Sequence, residues 1–297
     1  KLEEAKKLYS ELNTSIAIND ILDNSEISAI VIATPVSTHF EIAKSALECG
    51  KHVLIEKPMT DSVKNAEYLI ELSQKKNLLL MVDHTYLYTG TVQKLKELIS
   101  NKNFGEINFI DSTRSNLGLF QSDINVLWDL APHDISICNF LLDEYPVAIQ
   151  AIGKSHTEKD IEDIAYLTLH YNSKKIVHFN CSWISPIKIR QFIIGGTEKM
   201  IVFDDTNKKE KIQLFNTNFK EKYNSTTANS LIEYNVGEKS TIAFDPIEAL
   251  ELMASNFINS ILNKSKPVSD YNVGLNVVKI LEASQKSIKN DGVKIFL

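Results

Sequence analysis

Solid apolar runs and amphipathic stretches alternate through the first third of the chain. "KLEEAKKLYSEL" sets Ala5, Leu8 and Leu12 at helical spacing with charges elsewhere, predicting an opening helix. The run from Ile27 to Ala33 predicts a strand. Thr38-x-x-Glu41 then reads as a capping box that opens a helix, with Ile42, Ala43, Ala46 and Leu47 as its buried stripe and Gly50 at its end. "HVLIE" predicts a second strand, Ser62 to Lys76 a second amphipathic helix and "NLLLMVDH" a third strand. Strands that are apolar on both faces and separated by helices form parallel sheets covered on both sides. Right-handed crossovers put the carboxyl ends of such strands on one edge, where ligands bind. Thr34-Pro35, Glu56-Lys57-Pro58 and Asp83-His84 all fall at those ends.

The pattern changes after about Tyr88. A helix over "TVQKLKELISNK" leads into "FGEINFIDSTRS", and strand-like runs follow in "PVAIQAIGKSH", "DIAYLTLHY", "KKIVHFNCSWI" and "IRQFIIGGTEKMIVFD". In "IAYLTLHY", Ile164, Tyr166 and Thr168 face opposite to Ala165, Leu167 and Leu169. Consecutive strands without helices between them predict a mainly antiparallel sheet. Helices near Pro246 to Asn263 and Val273 to Lys289 finish the chain, and Asn207 to Lys239 reads as surface strands and loops. The expected division is 1–86, an α/β Rossmann-type domain with a parallel sheet, and 87–297, an α+β domain with an open-faced, mainly antiparallel sheet.

Composition narrows the function classes. The 297 residues are 43% hydrophobic, ample for real cores, and the net charge of −6 comes without any basic tract. Neither a nucleic-acid nor an anionic-membrane partner is expected. Cys49, Cys138 and Cys181 are an odd count without C-x-x-C spacing, which suits a reduced, cytoplasmic compartment rather than a disulfide framework. No apolar stretch approaches the roughly 20 residues of a bilayer span. The seven histidines show no zinc spacing, so no metal is expected, and no G-x-S-x-G elbow is present.

Two constellations carry candidate chemistry. In Glu56-Lys57-Pro58 an ammonium at the mouth of an apolar strand is poorly solvated, so its proton is easily shared, and Pro58 restricts its backbone. A solvated ion pair at a strand end fits the same tripeptide. In "WDLAPHDISICNFLL", Asp129 suits a helix N-cap and Pro132 a first turn; His133 then projects beside Asp129, whose carboxylate would fix the imidazole tautomer for general-base work. A cap aspartate beside a core histidine fits equally. Thr34, Pro35 and His39 border either a ligand or a simple turn. His84 and Tyr86 end a strand on the same edge, where they either border a ligand or only roof the core. Arg114 and Asn116 lie where a strand leaves the second sheet, placed to hydrogen-bond a polyol or phosphate, and a solvated arginine fits Arg114 equally.

Together, "IVIATPVSTHFEIAKSALECGKHVLIEKPMT", "LLLMVDHTYLYTGTVQKLKELISNKNFGEI" and "WDLAPHDISI" resemble the Gfo/Idh/MocA family of nicotinamide-dependent oxidoreductases. The resemblance covers residues 1 to about 142 and the last helices. It implies a Rossmann domain, an open-faced sheet domain and an active site between them. It implies that Lys57 lies near nicotinamide and substrate hydroxyl, that His133 acts as base or acid with Asp129 beside it, and that Thr34, Pro35, His39, Glu56, Lys57 and His84 line the cofactor. Lys57, Tyr86, Arg114, Asn116 and His133 are the implied substrate contacts. The expected activity is a dehydrogenase acting on a sugar or nucleotide sugar with NAD or NADP, NAD being favoured, in a homodimer or homotetramer. The alternative is a regulator of the same fold that binds dinucleotide or sugar without turnover.

Two departures from the family pattern stand out. Many relatives have Arg-Phe where this chain has Leu87-Tyr88. The chain also has no G-x-G-x-x-G, and it begins with Lys1 at the helix that normally follows that turn. Loss of about 30 to 40 residues, the size of a βαβ opening, is the simplest account. The expected consequence is poor dinucleotide binding by these residues alone, because the pyrophosphate lacks its backbone N–H cradle.

Overall fold

A computed structural model of the chain describes residues 2–118, 120–157, 160–224 and 229–297. It opens with two short helices, α1 (Leu2–Leu8) and α2 (Asn19–Leu22). Ala5, Leu8 and Leu12 do not face a core: α1 has no buried residue, and Leu8 is 78% exposed.

Strands β1 (Ala29–Ile32), β2 (His52–Glu56) and β3 (Leu80–Asp83) form a parallel sheet in the order β1-β2-β3. Helices α3 (Val36–Glu48) and α4 (Val63–Lys76) connect them, burying Ala43, Ala46, Leu47, Ala66 and Leu69. Ser62 caps α4, accepting from Asn65 N. The capping box at Thr38-x-x-Glu41 does not form. Helix α3 starts earlier, with Pro35 at its N-cap, and the Thr38 hydroxyl donates back to the Pro35 carbonyl at 2.7 Å. A proline ahead of the first turn has the φ that helix entry requires and no N–H to leave unpaired, so the helix begins there.

After a 3₁₀ turn over Thr85–Tyr88 come α5 (Gly90–Ser100), β4 (Ile107–Leu117) and α6 (Val126–Leu142). Strands β5 (Ala148–Lys154), β6 (Ile164–His170), β7 (Ile176–Ser182), β8 (Ile184–Gly196) and β9 (Met200–Asp204) follow, then a long hairpin of β10 (Ile212–Asn224) and β11 (Asn229–Thr241). That hairpin is the surface-strand stretch expected from Asn207 to Lys239, of which residues 225–228 lie outside the described residues. Helices α7 (Ala249–Asn263) and α8 (Tyr271–Lys289) and a short β12 (Ile295–Phe296) complete the chain.

The second sheet has nine strands in the order β11-β10-β9-β8-β4-β7-β6-β5-β12, antiparallel except for β4 beside β7. The alternation in β6 holds: Ala165, Leu167 and Leu169 are buried, while Tyr166 is exposed on the open face. Helix α6 packs on the covered face, along β4, β6 and β7.

Helix α8 crosses the expected division at residue 86. Val277, Ile280 and Leu281 enter the core of the second sheet, while Val278 enters that of the first. Ser269, just ahead of α8, pairs its carbonyl with Val82 N at 3.1 Å and its hydroxyl with Val82 O at 2.6 Å. The close approach is made at Gly274, where a Cβ would lie 2.5 Å from Val82 Cγ2 and 3.1 Å from Met59 Sδ. Gly274→Val should therefore lower the unfolding free energy by about 1–3 kcal/mol through overpacking, more than the helix-propensity gain of removing glycine returns. A urea midpoint at or above that of the wild type would show that α8 does not seat on β3 at this residue.

Candidate active site

The parallel strands deliver their polar residues in register. Glu56 and Asp83 are direct partners at the ends of β2 and β3. Burial, and then the neighbouring Asp83, raise the Glu56 carboxyl above its ordinary range, against the opposing Lys57 N–H, which it accepts at 3.1 Å. The next peptide, Lys57-Pro58, is cis. His39 ties this turn to the start of α3: its Nε2 lies 2.8 Å from the Thr34 carbonyl and its Nδ1 3.0 Å from that of Pro58. His39 is buried, whereas Thr34 and Pro35 are exposed above it. Of the residues expected to line a cofactor, His39 thus acts by fixing the turn, and Thr34 and Pro35 offer the surface.

Lys57 reaches across to the second sheet's helix. Its Nζ donates to the Asp129 carbonyl at 2.9 Å and lies 4.0 Å from Asp129 Oδ1. Burial lowers the Lys57 pKa, and Asp129 only partly opposes this. The ammonium therefore gives up its proton more readily than a solvated lysine.

Helix α6 begins before the residue expected to cap it. Asn125 is the N-cap, its side chain accepting from Trp128 N at 3.1 Å, so Asp129 sits in the first turn and Pro132 inside the helix. Asp129 does not hydrogen-bond to His133. Its Oδ2 accepts instead from the indole beyond β7, Trp183 Nε1, at 2.9 Å. His133 packs edge-on against Tyr86, ring centroids 5.1 Å apart, and its Nδ1 has no hydrogen-bond partner among the described residues. Burial, then the charges of Lys57 and Arg114, hold its pKa well below the ordinary histidine value. His84 is buried with neither ring nitrogen partnered, and burial together with Lys57 brings its pKa down to about 3. Lys57, His84, Tyr86 and His133 thus form one cluster, with both histidines neutral.

Arg114, expected to bind a polyol or phosphate, is committed elsewhere. It is 4% exposed, its Nε donates to Asp134 Oδ1 at 2.8 Å, and its Nη2 donates to the same oxygen. Ser112 donates to Asp134 Oδ2 at 2.7 Å. Burial works against the guanidinium charge, but Asp134 outweighs it and keeps Arg114 protonated throughout the accessible range. Asn116 is half-buried at the register shift that follows Ser115.

Several site residues carry no sequence signal of their own. Tyr86 Oη donates to Asp205 Oδ2 at 3.2 Å, and Lys211 Nζ donates to Asp205 Oδ1 at 2.9 Å. Burial raises the Asp205 pKa, but the Lys211 bond and charge outweigh this and the net shift is downward. Arg190 Nη1 donates weakly to Tyr86 Oη at 3.4 Å. Asp134, Arg190, Asp205 and Lys211 come from four separate elements or their ends, and only the fold joins them.

With this geometry in place, comparison with known proteins is informative. Residues 2–84 match the oxidoreductase family with an NAD-binding Rossmann fold, and residues 92–202 match the GFO/IDH/MocA C-terminal domain. The chain belongs to the Gfo/Idh/MocA oxidoreductase family. Among curated relatives, the UDP-N-acetylglucosamine 3-dehydrogenase of Acidithiobacillus ferrooxidans is 33% identical over 150 residues, covering 49% of this chain and 46% of that protein. The NADP(+)-dependent scyllo-inositol 2-dehydrogenase of Bacillus subtilis is 24% identical over 215 residues, 68% of this chain and 59% of the relative. The chain spans about half the length of the curated relatives it matches. Among solved structures, the Acidithiobacillus ferrooxidans UDP-N-acetylglucosamine 3-dehydrogenase aligns with a TM-score of 0.79 at 22% identity over 97% of this chain and 87% of that one. The Caulobacter crescentus aldose-aldose oxidoreductase aligns with 0.83 at 17% identity over 100% and 88%. At these identities the likeness is one of fold. The Gfo/Idh/MocA motifs fall on the two elements that Lys57 and Asp129 connect.

Two measurable consequences follow from the buried groups. Above the ordinary histidine pKa near 6.5, His84 is neutral in both folded and unfolded chains and stability is complete. Below it, the unfolded chain takes up a proton that folded His84 refuses until about 3. Stability should fall with pH in that window by up to about 1.4 kcal/mol per unit from this histidine. His84→Phe should flatten urea midpoint against pH there, and an unchanged slope would discount its burial. Asp134→Asn leaves a buried guanidinium without its counter-charge and should cost about 3–5 kcal/mol by urea denaturation; a loss below about 1 kcal/mol would mean that water reaches Arg114.

Proposed function

We propose that this Gfo/Idh/MocA chain carries the active site of a nicotinamide-dependent dehydrogenase acting on a secondary hydroxyl of a sugar or nucleotide sugar, with NAD or NADP as hydride carrier. The observation that carries this reading is the Lys57 ammonium, poised on the first turn of α6 one turn before a neutral His133, at the carboxyl ends of a parallel sheet. The two proteins named above that act on UDP-N-acetylglucosamine and scyllo-inositol support the substrate class.

The residues present fit the nicotinamide end of such a cofactor. Thr34 and Pro35 are exposed at the end of β1, followed by the N-terminal turn of α3, and Lys57 borders the same edge. When bound, the nicotinamide ring accepts or returns the hydride of the carbinol carbon. The chain's own part is proton handling. A neutral His133 accepts the hydroxyl proton, and Lys57 donates a hydrogen bond to the same oxygen, favouring the charge that builds there. In the reducing direction the lowered Lys57 pKa suits it to supply the proton. Asp129, held by Trp183, keeps the lysine on station and acts as a positioning residue.

The test follows reduced-nicotinamide absorbance of the intact protein with NAD+ or NADP+ and a panel of nucleotide sugars and inositols. Turnover is expected with at least one. Lys57→Ala and His133→Ala should each lower kcat by about 10²–10⁴-fold with substrate affinity little changed. Binding of panel members without turnover would instead favour a sugar-binding regulator, and full activity in both variants would remove the mechanism.

A further inference from the structure

Arg114 and Arg190 are direct cross-strand partners on β4 and β8, an arrangement in which like charges repel. The two are treated differently. Arg114 closes its Nε–Nη2 edge on the buried Asp134. Arg190 has no such carboxylate. Its Nη1 lies 3.4 Å from Tyr86 Oη and 3.8 Å from Asp205 Oδ2, and Asp205 is already bonded to Lys211 at 2.9 Å and to Tyr86 at 3.2 Å. One carboxylate therefore answers two cations. The Arg190 Nε and Nη2 have no partner among the described residues, and the side chain is 38% exposed. That edge, with two parallel N–H groups, grips a two-oxygen anion.

Its position relates it to the reacting centre. The Tyr86 ring packs against His133 on one side, while its hydroxyl reaches Arg190 and Asp205 on the other. A group held at Arg190 thus lies across the Tyr86 side chain from His133. A neutral polyol in that place would leave the surplus positive charge unanswered; a phosphate ester would pair with it.

We propose that Arg190 is the specificity residue of this site, receiving phosphate oxygens of a sugar phosphate or sugar diphosphate ester on its open Nε–Nη2 edge, with Lys211 as the supporting cation. The proposal rests on the reading of the site as a sugar dehydrogenase and adds that its substrate is anionic.

Titration calorimetry without cofactor tests it, using UDP-N-acetylglucosamine, N-acetylglucosamine 1-phosphate and scyllo-inositol as probes. The wild type should bind at least one phosphate probe more tightly than the inositol, with affinity falling as salt is raised. Arg190→Gln should weaken that probe about 10–100-fold and flatten its salt dependence, leaving scyllo-inositol unchanged. Arg190→Lys should recover only part of the loss, because a point charge lacks the two-pronged edge. A unfolding midpoint matching the wild type shows that Arg190→Gln is folded. Preferential binding of the UDP probe assigns a diphosphate ester, and equal binding a monoester. Equal affinities in wild type and Arg190→Gln, or a wild type that does not favour either phosphate over inositol, overturn the proposal. Arg190-dependent phosphate binding without nicotinamide reduction for any substrate would sink the dehydrogenase reading alone.

Discussion

The buried ion pair between Arg114 and Asp134 sets the rotation of α6, and the site depends on that rotation. Asp134 is drawn to the sheet by Arg114 and Ser112, with almost no exposure on either partner of the pair. Its neighbour His133 is thereby turned to the side facing Tyr86. The same rotation aims the Asp129 carbonyl at Lys57, so that one helix orientation fixes the surroundings of both Lys57 and His133. A buried pair of this kind is weak as a source of net stability, because desolvation offsets most of the Coulomb attraction. Its value lies in excluding other orientations, since turning α6 would leave a guanidinium buried without its carboxylate.

The electrostatics of the cleft follow from the same arrangement. Lys57, Arg114 and Arg190 all act to keep a proton off His133, and Lys57 does the same to His84. The histidines are consequently neutral, and the positive potential is free to act on whatever oxygen enters. Behind Lys57, burial and the neighbouring Asp83 disfavour ionisation of Glu56. A cleft with its cations forward and a reluctant carboxyl behind is suited to a negative charge that develops on substrate rather than one held permanently by the protein.

The sheet domain was legible in proportion to how local its signals are. Apolar runs flanked by polar exits identify the parallel strands, because being buried on both faces is written into consecutive residues. Helix starts were less legible. Asp129 and Asn125 are both competent caps, and the choice fell to Asn125, whose carboxamide also reaches Glu162 and Gln285 from distant elements. The Asp129–His133 contact failed for a related reason: i to i+4 spacing permits it, but Trp183 claims the carboxylate from more than fifty positions away. Arg114 read as either ligand-facing or solvated from its place near a strand end, whereas its partner Asp134 comes from a helix twenty positions on. The exposed Leu8 marks the same limit, since periodicity shows a stripe without showing that anything covers it.

Chemistry and selectivity thereby reside in different kinds of sequence. Lys57, Asp129 and His133 sit in short motifs whose backbone is constrained by a proline or a helix. Arg190, Asp205 and Lys211 lie on or beside three successive strands, β8 to β10, where each side chain is fixed only by pairing with its neighbours. Changing one of them alters charge at the cleft without disturbing Lys57 or α6. Across β4 and β8 the two like charges are handled unequally: Arg114 is neutralised by buried Asp134, whereas Arg190 shares Asp205 with Lys211.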